Sequence, residues 1–421
     1  MAHPTEQYFN DVVSSIAEAV KFDSSLKPAV PGCPFGKETA DCLAYFLNLA
    51  SKMGFETHNY DNYVGEVIFG EGEPLAILAH LDVVPAGEGW SHPPFGGEID
   101  DEVSDGGIGG MKIWGRGTMD DKGPAIATLY AMKALKDEGF MPKRQIKFIV
   151  GCNEETGWAC LKHYEEVAKM PEEGFSPDAS FPAIYAEKGI VHCKSYYPLN
   201  KDSFVSLRAG TAANMVCASA TAVLTEASAK YVKLYEKAAE MQASSDKKLN
   251  GSEEKRALHT AKNGATWNYD EATRTIVFNG KSAHGSTPEK GVNALEGLLE
   301  FASMFDEGCK RAYEVLCLDE NHLREMRDET GLLTMSPDVA AIENGALAIT
   351  TDIRFPATHK VEEVREAFEK SGVKFEFLHY QKPLYNDPQG KLISTLMNVY
   401  NRHTGRNEKA IAIGGRPQAR A

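Results

Sequence analysis

The chain has 421 residues, 43% of them hydrophobic and 25% charged, with a formal net charge of −15. Its length exceeds what one ordinary core serves and predicts two domains. The acidic balance excludes the basic face that nucleic acid or an anionic membrane requires, and most of the surplus acid is expected to be solvated surface.

In chain order, "EQYFNDVVSSIAEAV" and "ETADCLAYFLNLASKMGF" space their apolar residues for helices. The segment "ETHNYDNYVGEVIFGEGEPLAILAHLD" predicts a strand, an Asp-Asn turn, a second strand and a central strand from Leu75 to Ala79. "KIWGRG" is a short strand entering a loop. "GPAIATLYAMKALKDEG" is a helix with Pro124 in its first turn and Gly139 past its end. "RQIKFIVGCNEE" is a strand that ends in acids, and "GWACLKHYEEVAKM" is the helix after it. Strands alternating with helices, with polar residues collected where strands end, predict an open, mostly parallel α/β sheet with its site at the carboxyl edge.

Past "YAEKGI" the texture changes to strand-like runs ("TRTIVFNG", "ALAITTDIRFP") and helical patterns ("ATAVLTEASAKYVKLYEKAAE", "VNALEGLLEFASMFDEG", "KVEEVREAFEKSG"), with "MQASSDKKLNGSEEKRA" as a polar surface connection. This predicts an inserted α+β lid over residues 188–381, and a discontinuous catalytic domain of residues 1–187 and 382–421 that resumes with the helix "DPQGKLISTLMNVYNRHTG". None of the eight cysteines forms a C-x-x-C pair, which predicts reduced thiols in the cytoplasm. The N-terminal stretch lacks a secretory pattern, and no apolar run is long enough for a membrane span.

Polar groups recur at the predicted strand ends: His80 and Asp82 in "AHLD", Asp120 in "WGRGTMDDKG", Glu154 and Glu155 in "GCNEETG", and Asp178 in "SPDASFP". Each has an ordinary explanation. A strand-end histidine is usually structural, Glu-Glu favours the dipole of the helix that follows, Asp121 and Lys122 suit a surface pair, and Asp178 after Pro177 suits a turn. One accident would have to recur at successive strand ends, whereas imidazole and carboxylate converging from separate strands bind a metal together. Asp82 then fits as the acid that orients the His80 ring.

Together "LAHLDVVPAGEGWSHPPF", "GRGTMDDKGP", "CNEETG", "PDASFP", "AEKGI" and "SAHGSTPEKGVNA" resemble the dizinc exopeptidase superfamily of aminoacylases, carnosinases and succinyl-diaminopimelate desuccinylases, most closely its PepV-type Xaa-His dipeptidase branch. The resemblance implies two zinc ions: His80 and Asp178 on one, Glu155 on the other, Asp120 bridging both, and a cis peptide after Asp120. It implies Glu154 as general base and Asp82 as the orienting acid. His284 in "KSAHGSTP" is the candidate donor to the oxyanion. Asn214 in "GTAANMV" and Arg354 in "DIRFP" match positions that grip the substrate, and a guanidinium suits a C-terminal carboxylate. Zn2+ is the expected ion, with Mn2+ or Co2+ compatible with the same ligands.

Other motifs fall away. Position 275 is Thr, so "NGKSAHG" is no phosphate loop. "DGGIGGMKIWGRG" precedes a strand where a dinucleotide site would open a helix. The family pattern runs past a "GGGTYAR"-like stretch to a closing segment with its last metal-binding histidine; here the corresponding stretch is "AIAIGGRPQARA", the chain stops at Ala421, and His403 lies too early to replace that histidine. A C-terminally shortened member is therefore expected, with one tight and one weak metal site and low turnover. The expected function is hydrolysis of dipeptides or short peptides with a free C-terminus by a monomer. An N-acyl amino acid amidase and an impaired metal- or peptide-binding remnant are the alternatives.

Overall fold

The computed structural model describes residues 5–100, 111–239 and 261–414, which divide into two compact units between Ala179 and Ser180. The first unit is built on five strands, β1 (Glu56–Tyr60), β2 (Val64–Phe69), β3 (Pro74–His80), β6 (Gln145–Gly151) and β7 (Gly174–Phe175), in the order β1-β2-β6-β3-β7. The expected open α/β sheet is mixed. It is antiparallel from β1 through β2 to β6 and parallel from β6 through β3 to β7. Strands β4 (Glu98–Asp100) and β5 (Lys112–Trp114) form a separate antiparallel pair.

Helices α1 (Phe9–Val20), α2 (Lys37–Lys52), α3 (Lys122–Asp137) and α4 (Ala159–Val167) flank this sheet. Helix α2 lies directly on β2, because Gly65 leaves room for it: a methyl there would meet Leu43 at 2.7 Å and Leu47 at 2.9 Å. Phe46 and Phe148 pack edge-to-face beside them. Side chains alternate along a strand, so Glu66 points to the opposite face, where Tyr164 of α4 donates to its carboxylate and Lys147 pairs with it at 3.2 Å. Parallel pairing aligns His80 with Gly151 and Ile77 with Phe175. The segments after β3, β6 and β7 therefore leave the sheet at one edge.

The second unit carries β8 (Ile184–Glu187), β9 (Gly189–Pro198), β10 (Phe204–Ala209), β11 (Ser219–Leu224), α5 (Glu226–Ala229), β12 (Thr266–Asp270), β13 (Thr275–Asn279), α6 (Ala294–Ala302) and α7 (Glu307–Ala312). It continues with a two-stranded pair, β14 (Arg327–Asp328) and β15 (Gly331–Leu332), then β16 (Thr334–Glu343), β17 (Ala346–Phe355), α8 (Val361–Lys370), β18 (Lys374–Gln381), β19 (Leu384–Tyr385), α9 (Lys391–Thr404) and β20 (Ile411–Ile413). Eight strands form an antiparallel sheet in the order β12-β13-β11-β10-β16-β17-β9-β18. One face packs Val191, Cys193, Leu347, Ile349, Ile353 and Phe355 into a core with Leu295, Leu298 and Leu299 of α6. A small sheet, β19-β8-β20, packs Tyr185 and Ala186 against Ile393 and Met397 of α9.

The Ala179/Ser180 division precedes the expected 187/188 boundary and groups β8, β19, α9 and β20 with the second unit. The helix expected across Ala220–Glu240 is corrected: Ser219–Leu224 is strand β11, and the helix starts only after Thr225, whose side chain caps it by accepting from Ser228 N–H. The alternation in Ala220–Leu224 follows the period of a strand. The polar connection at 241–257 and the C-terminal stretch from 415 lie outside the described residues.

Asp338 sits where the β16–β17 register shifts and is fully buried. Ser336 Oγ donates to its Oδ1 at 2.6 Å, while Oδ2 has no hydrogen-bond partner among the described residues. Burial pushes its carboxyl up to about 9 against the Ser336 hydrogen bond, and the charge of Asp352 adds to the rise. The group is thus protonated in the fold and ionised in the unfolded chain between its ordinary value of 3.8 and about 9. The unfolded chain binds fewer protons there, so this group's stabilisation is present in acid and is lost as pH rises across that window. Asp338→Asn should therefore gain in melting temperature on the parent protein as pH is raised from about 4 to about 9. Calorimetry across that range checks this, and a pH-independent difference would contradict it.

Candidate metal centre and substrate-binding residues

His80 ends β3 and is 1% exposed. Its Nδ1 lies 2.9 Å from the carbonyl oxygen of Asp82, which can only accept, so Nδ1 carries the proton. The lone pair of the neutral ring is therefore on Nε2, which faces Asp120 Oδ1 at 2.9 Å, Asp178 Oδ2 at 3.6 Å and Glu154 Oε2 at 3.9 Å. An acceptor facing carboxylates needs a positive charge between them. Burial opposes an imidazolium here, yet hydrogen bonds to Asp120 and Asp82 and the charges of Asp82 and Asp178 raise the His80 pKa well above its ordinary value. A cation at Nε2 would meet the same demand.

The Asp82 carboxylate, expected to orient the ring, has its hydrogen bonds elsewhere, and the Asp82 carbonyl is the closer partner of Nδ1. Its nearer oxygen is 3.5 Å from Nδ1, while its two oxygens accept the backbone N–H groups of Glu154 and Glu155 at 3.0 Å each. Asp82 thus fastens the turn after β6 to the end of β3 and fixes where both glutamates start.

Ligand atoms of His80, Asp120 and Glu155 lie within 4.8 Å of one another, as do those of His80, Asp121 and Asp178. Asp121 is the residue that sequence reasoning missed. It is fully buried rather than paired with Lys122 on the surface, and Lys122 is equally buried with Nζ donating to Phe22 O at 2.6 Å. Asp121 Oδ2 accepts the His80 backbone N–H at 3.1 Å, and Oδ1 has no hydrogen-bond partner among the described residues. The peptide between Asp120 and Asp121 is cis. The adjacent acids in "TMDDKG" were the available signal, and an isolated pair of acids reads equally well as surface.

Burial and then the charge of Asp178 push Asp121 up to about 8; burial and then Asp120 push Glu155 up to about 7. Asp178 rises to about 6 through burial, with His80 opposing and Asp120 adding. A cation among crowded carboxyls shifted in this direction would favour their ionised forms. With an orphaned oxygen on Asp121 and an Nε2 lone pair aimed at carboxylates, this oxygen-and-imidazole donor set fits a divalent metal. Glu154 is buried and belongs to neither ligand group.

Asn214, His284 and Arg354, distant in sequence, gather in the second unit. The Asn214 carbonyl accepts Gly285 N–H at 2.7 Å, and Met215 bridges to His284. His284 Nδ1 accepts Ser286 N–H at 3.2 Å, so the neutral ring carries its proton on Nε2. Burial and the charge of Arg354 lower the His284 pKa, with Asp352 opposing, which favours that neutral form. Arg354 is buried on β17 beside Asp352.

An α/β sheet that collects an imidazole and several carboxyl groups at the ends of its parallel strands defines a metal-dependent hydrolase. The chain belongs to peptidase family M20/M25/M40, whose model matches residues 76–419, and is a metallopeptidase. It is 32% identical to a Beta-Ala-Xaa dipeptidase of Lactobacillus delbrueckii subsp. lactis over 431 aligned positions, covering 96% of this chain and 85% of the relative. Its fold is similar to that of an aminoacylhistidine dipeptidase from Vibrio alginolyticus (TM-score 0.54, 12% identity, 96% of this chain and 85% of the other). Human carnosine dipeptidase 1 also shares it (TM-score 0.52, 15% identity, 98% and 86%). Among the described residues no helix is long and apolar enough to cross a membrane.

Asp121→Asn keeps an acceptor for the His80 N–H and removes the charge. Metal affinity should fall about 10–100-fold with no loss of melting temperature in the metal-free protein. Isothermal titration and thermal unfolding after chelation check both, and unchanged affinity would remove Asp121 from the centre.

Proposed function

We propose that the chain hydrolyses the peptide bond of dipeptides and short peptides with a free C-terminus, with two zinc ions as its cofactor. The observation that carries this reading is the gathering of four carboxyl groups around the His80 imidazole in two ligand-type groups, with Glu154 beside them and outside both. In this reading His80 and Asp178 hold one ion, Glu155 the other, Asp120 is shared, and Asp121 backs the His80 side. When bound, such ions lower the pKa of a water and polarise a carbonyl. Mn2+ or Co2+ would suit the same donors.

Glu154 is the general base. Its buried carboxylate takes the proton of the attacking water and delivers it to the leaving amine, and Asp82 holds its backbone for that task. His284 offers a neutral Nε2–H to the oxygen that gains charge. Arg354, with Asn214, grips the substrate's C-terminal carboxylate, for which a guanidinium fork is the matching donor. A monomer is the assembly in this reading, and eight free cysteines support a reducing, cytoplasmic setting.

Glu154→Ala should abolish turnover of a simple dipeptide while metal content by elemental analysis stays near that of the parent; Glu155→Ala should lose metal. The opposite pattern would exchange their roles, and retained rates in both would sink the mechanism. Faster cleavage of N-acetyl amino acids than of dipeptides would favour an amidase.

His284→Ala should lower kcat about 10²–10³-fold, the usual loss for one oxyanion donor, with metal content and melting temperature unchanged. An unaltered kcat would reduce this histidine to a structural one.

A further inference from the structure

We infer that Asp352 is a positioning residue for substrate binding: it fixes the plane of the Arg354 guanidinium and ties it to the loop that carries His284. The inference rests on the proposed role of Arg354. Asp352 and Arg354 are two apart on β17 and so share a sheet face, the one opposite the helix-packed core. They are 1% and 3% exposed. Asp352 Oδ2 accepts from both Arg354 Nε, at 3.2 Å, and Arg354 Nη2, at 3.1 Å. Of the five guanidinium N–H groups, the two on that side are committed, which leaves the Nη1–Nη2 end for a second carboxylate.

The same Oδ2 abuts the loop of His284. A methyl on Gly285 would lie 1.9 Å from it, so only glycine admits this approach. Gly285 N–H in turn donates to the Asn214 carbonyl. Asn214, the His284 loop, Asp352 and Arg354 thus form one contiguous path, and Asp352 is its link. Its neighbours leave it that task. His192 stands directly across on β9, with burial lowering its pKa, and the ring of His379 lies beyond it, tilted, with centroids 5.2 Å apart. Asp338 is neutral near pH 7 and does not compete for the guanidinium.

A bland alternative is that Asp352 merely neutralises a buried arginine. The two differ in what a substitution costs. Loss of neutralisation lowers stability and affects all substrates alike. Loss of positioning weakens the hold on a free carboxylate, a grip made equally in ground and transition states, and so raises KM with kcat kept.

The experiment compares kcat/KM for alanyl-alanine and alanyl-alanine amide in the metal-loaded parent and in Asp352→Asn, Gly285→Ala and Arg354→Ala, with melting temperature for each. The parent should prefer the acid and Arg354→Ala should lose that preference. Asp352→Asn should reduce the acid-to-amide ratio about 10–100-fold, the effect of impairing a charged hydrogen bond, chiefly through KM for the acid. Gly285→Ala, which displaces the carboxylate and keeps its charge, should reduce the ratio in the same direction and supplies the answer if Asp352→Asn fails to fold. A folded Asp352→Asn that keeps the ratio, or loses rate equally on both substrates, overturns the inference and leaves the role of Arg354 intact. If Arg354→Ala itself keeps the preference, the proposed role of Arg354 fails and the inference with it.

Discussion

Four carboxyl groups and one imidazole share a space at the edge of the first unit's sheet that cannot hold their charges unaided. At about 4 Å and an effective dielectric constant near 20, each like-charge pair costs about 4 kcal/mol, several times what a surface ion pair returns. Tautomer choice sharpens the conflict. The Asp82 carbonyl commits Nδ1 of His80 to donation, so the neutral ring aims its lone pair at Asp120 and Asp178. Protonation of the cluster is one resolution, and the raised pKa values of Asp121, Glu155 and Asp178 point to it. A divalent ion is the other, and it alone leaves the carboxylates ionised at neutral pH.

Such a cluster persists because its supports are rigid. The parallel register of β6, β3 and β7 brings three chain segments to one edge. Asp82 then joins two of them by hydrogen bonds to consecutive backbone N–H groups, a charge-assisted contact that also satisfies both of its own oxygens. Glu154 and Glu155 consequently leave one fixed turn as neighbours, one into a ligand group and one beside it. In the proposed mechanism, backbone geometry therefore sets the separation between holding an ion and moving a proton.

Much of this was legible in the sequence because strand ends punctuate it. Apolar runs that stop at His80 and at Glu154–Glu155 announce where polar groups leave a sheet, and the α/β class follows from the alternation of elements. Asp121 was hidden because its chain neighbour Asp120 already filled the role, and burial of the following Lys122 has no signature in charge alone. Ala220–Leu224 was read as helix because small residues suit either period and the helical run after Thr225 overshadowed the alternation; the cap at Thr225 was the overlooked marker. Asp352 was passed over because it stands two residues from an arginine, as many solvated strand acids do, and only the fold reveals that both are buried.

The overall charge explains why the second unit needs so constrained an arginine. A chain with a formal charge of −15 offers a substrate's carboxylate no long-range attraction, and Asp352 already neutralises Arg354. In the role proposed for Arg354, selection for a free carboxylate comes at short range, from N–H groups held in a fixed plane and direction, with the loss of side-chain freedom met during folding instead of on binding. An exposed, mobile lysine would supply the same charge without that direction. Burial of the pair is thus what converts a weak charge preference into a geometric one.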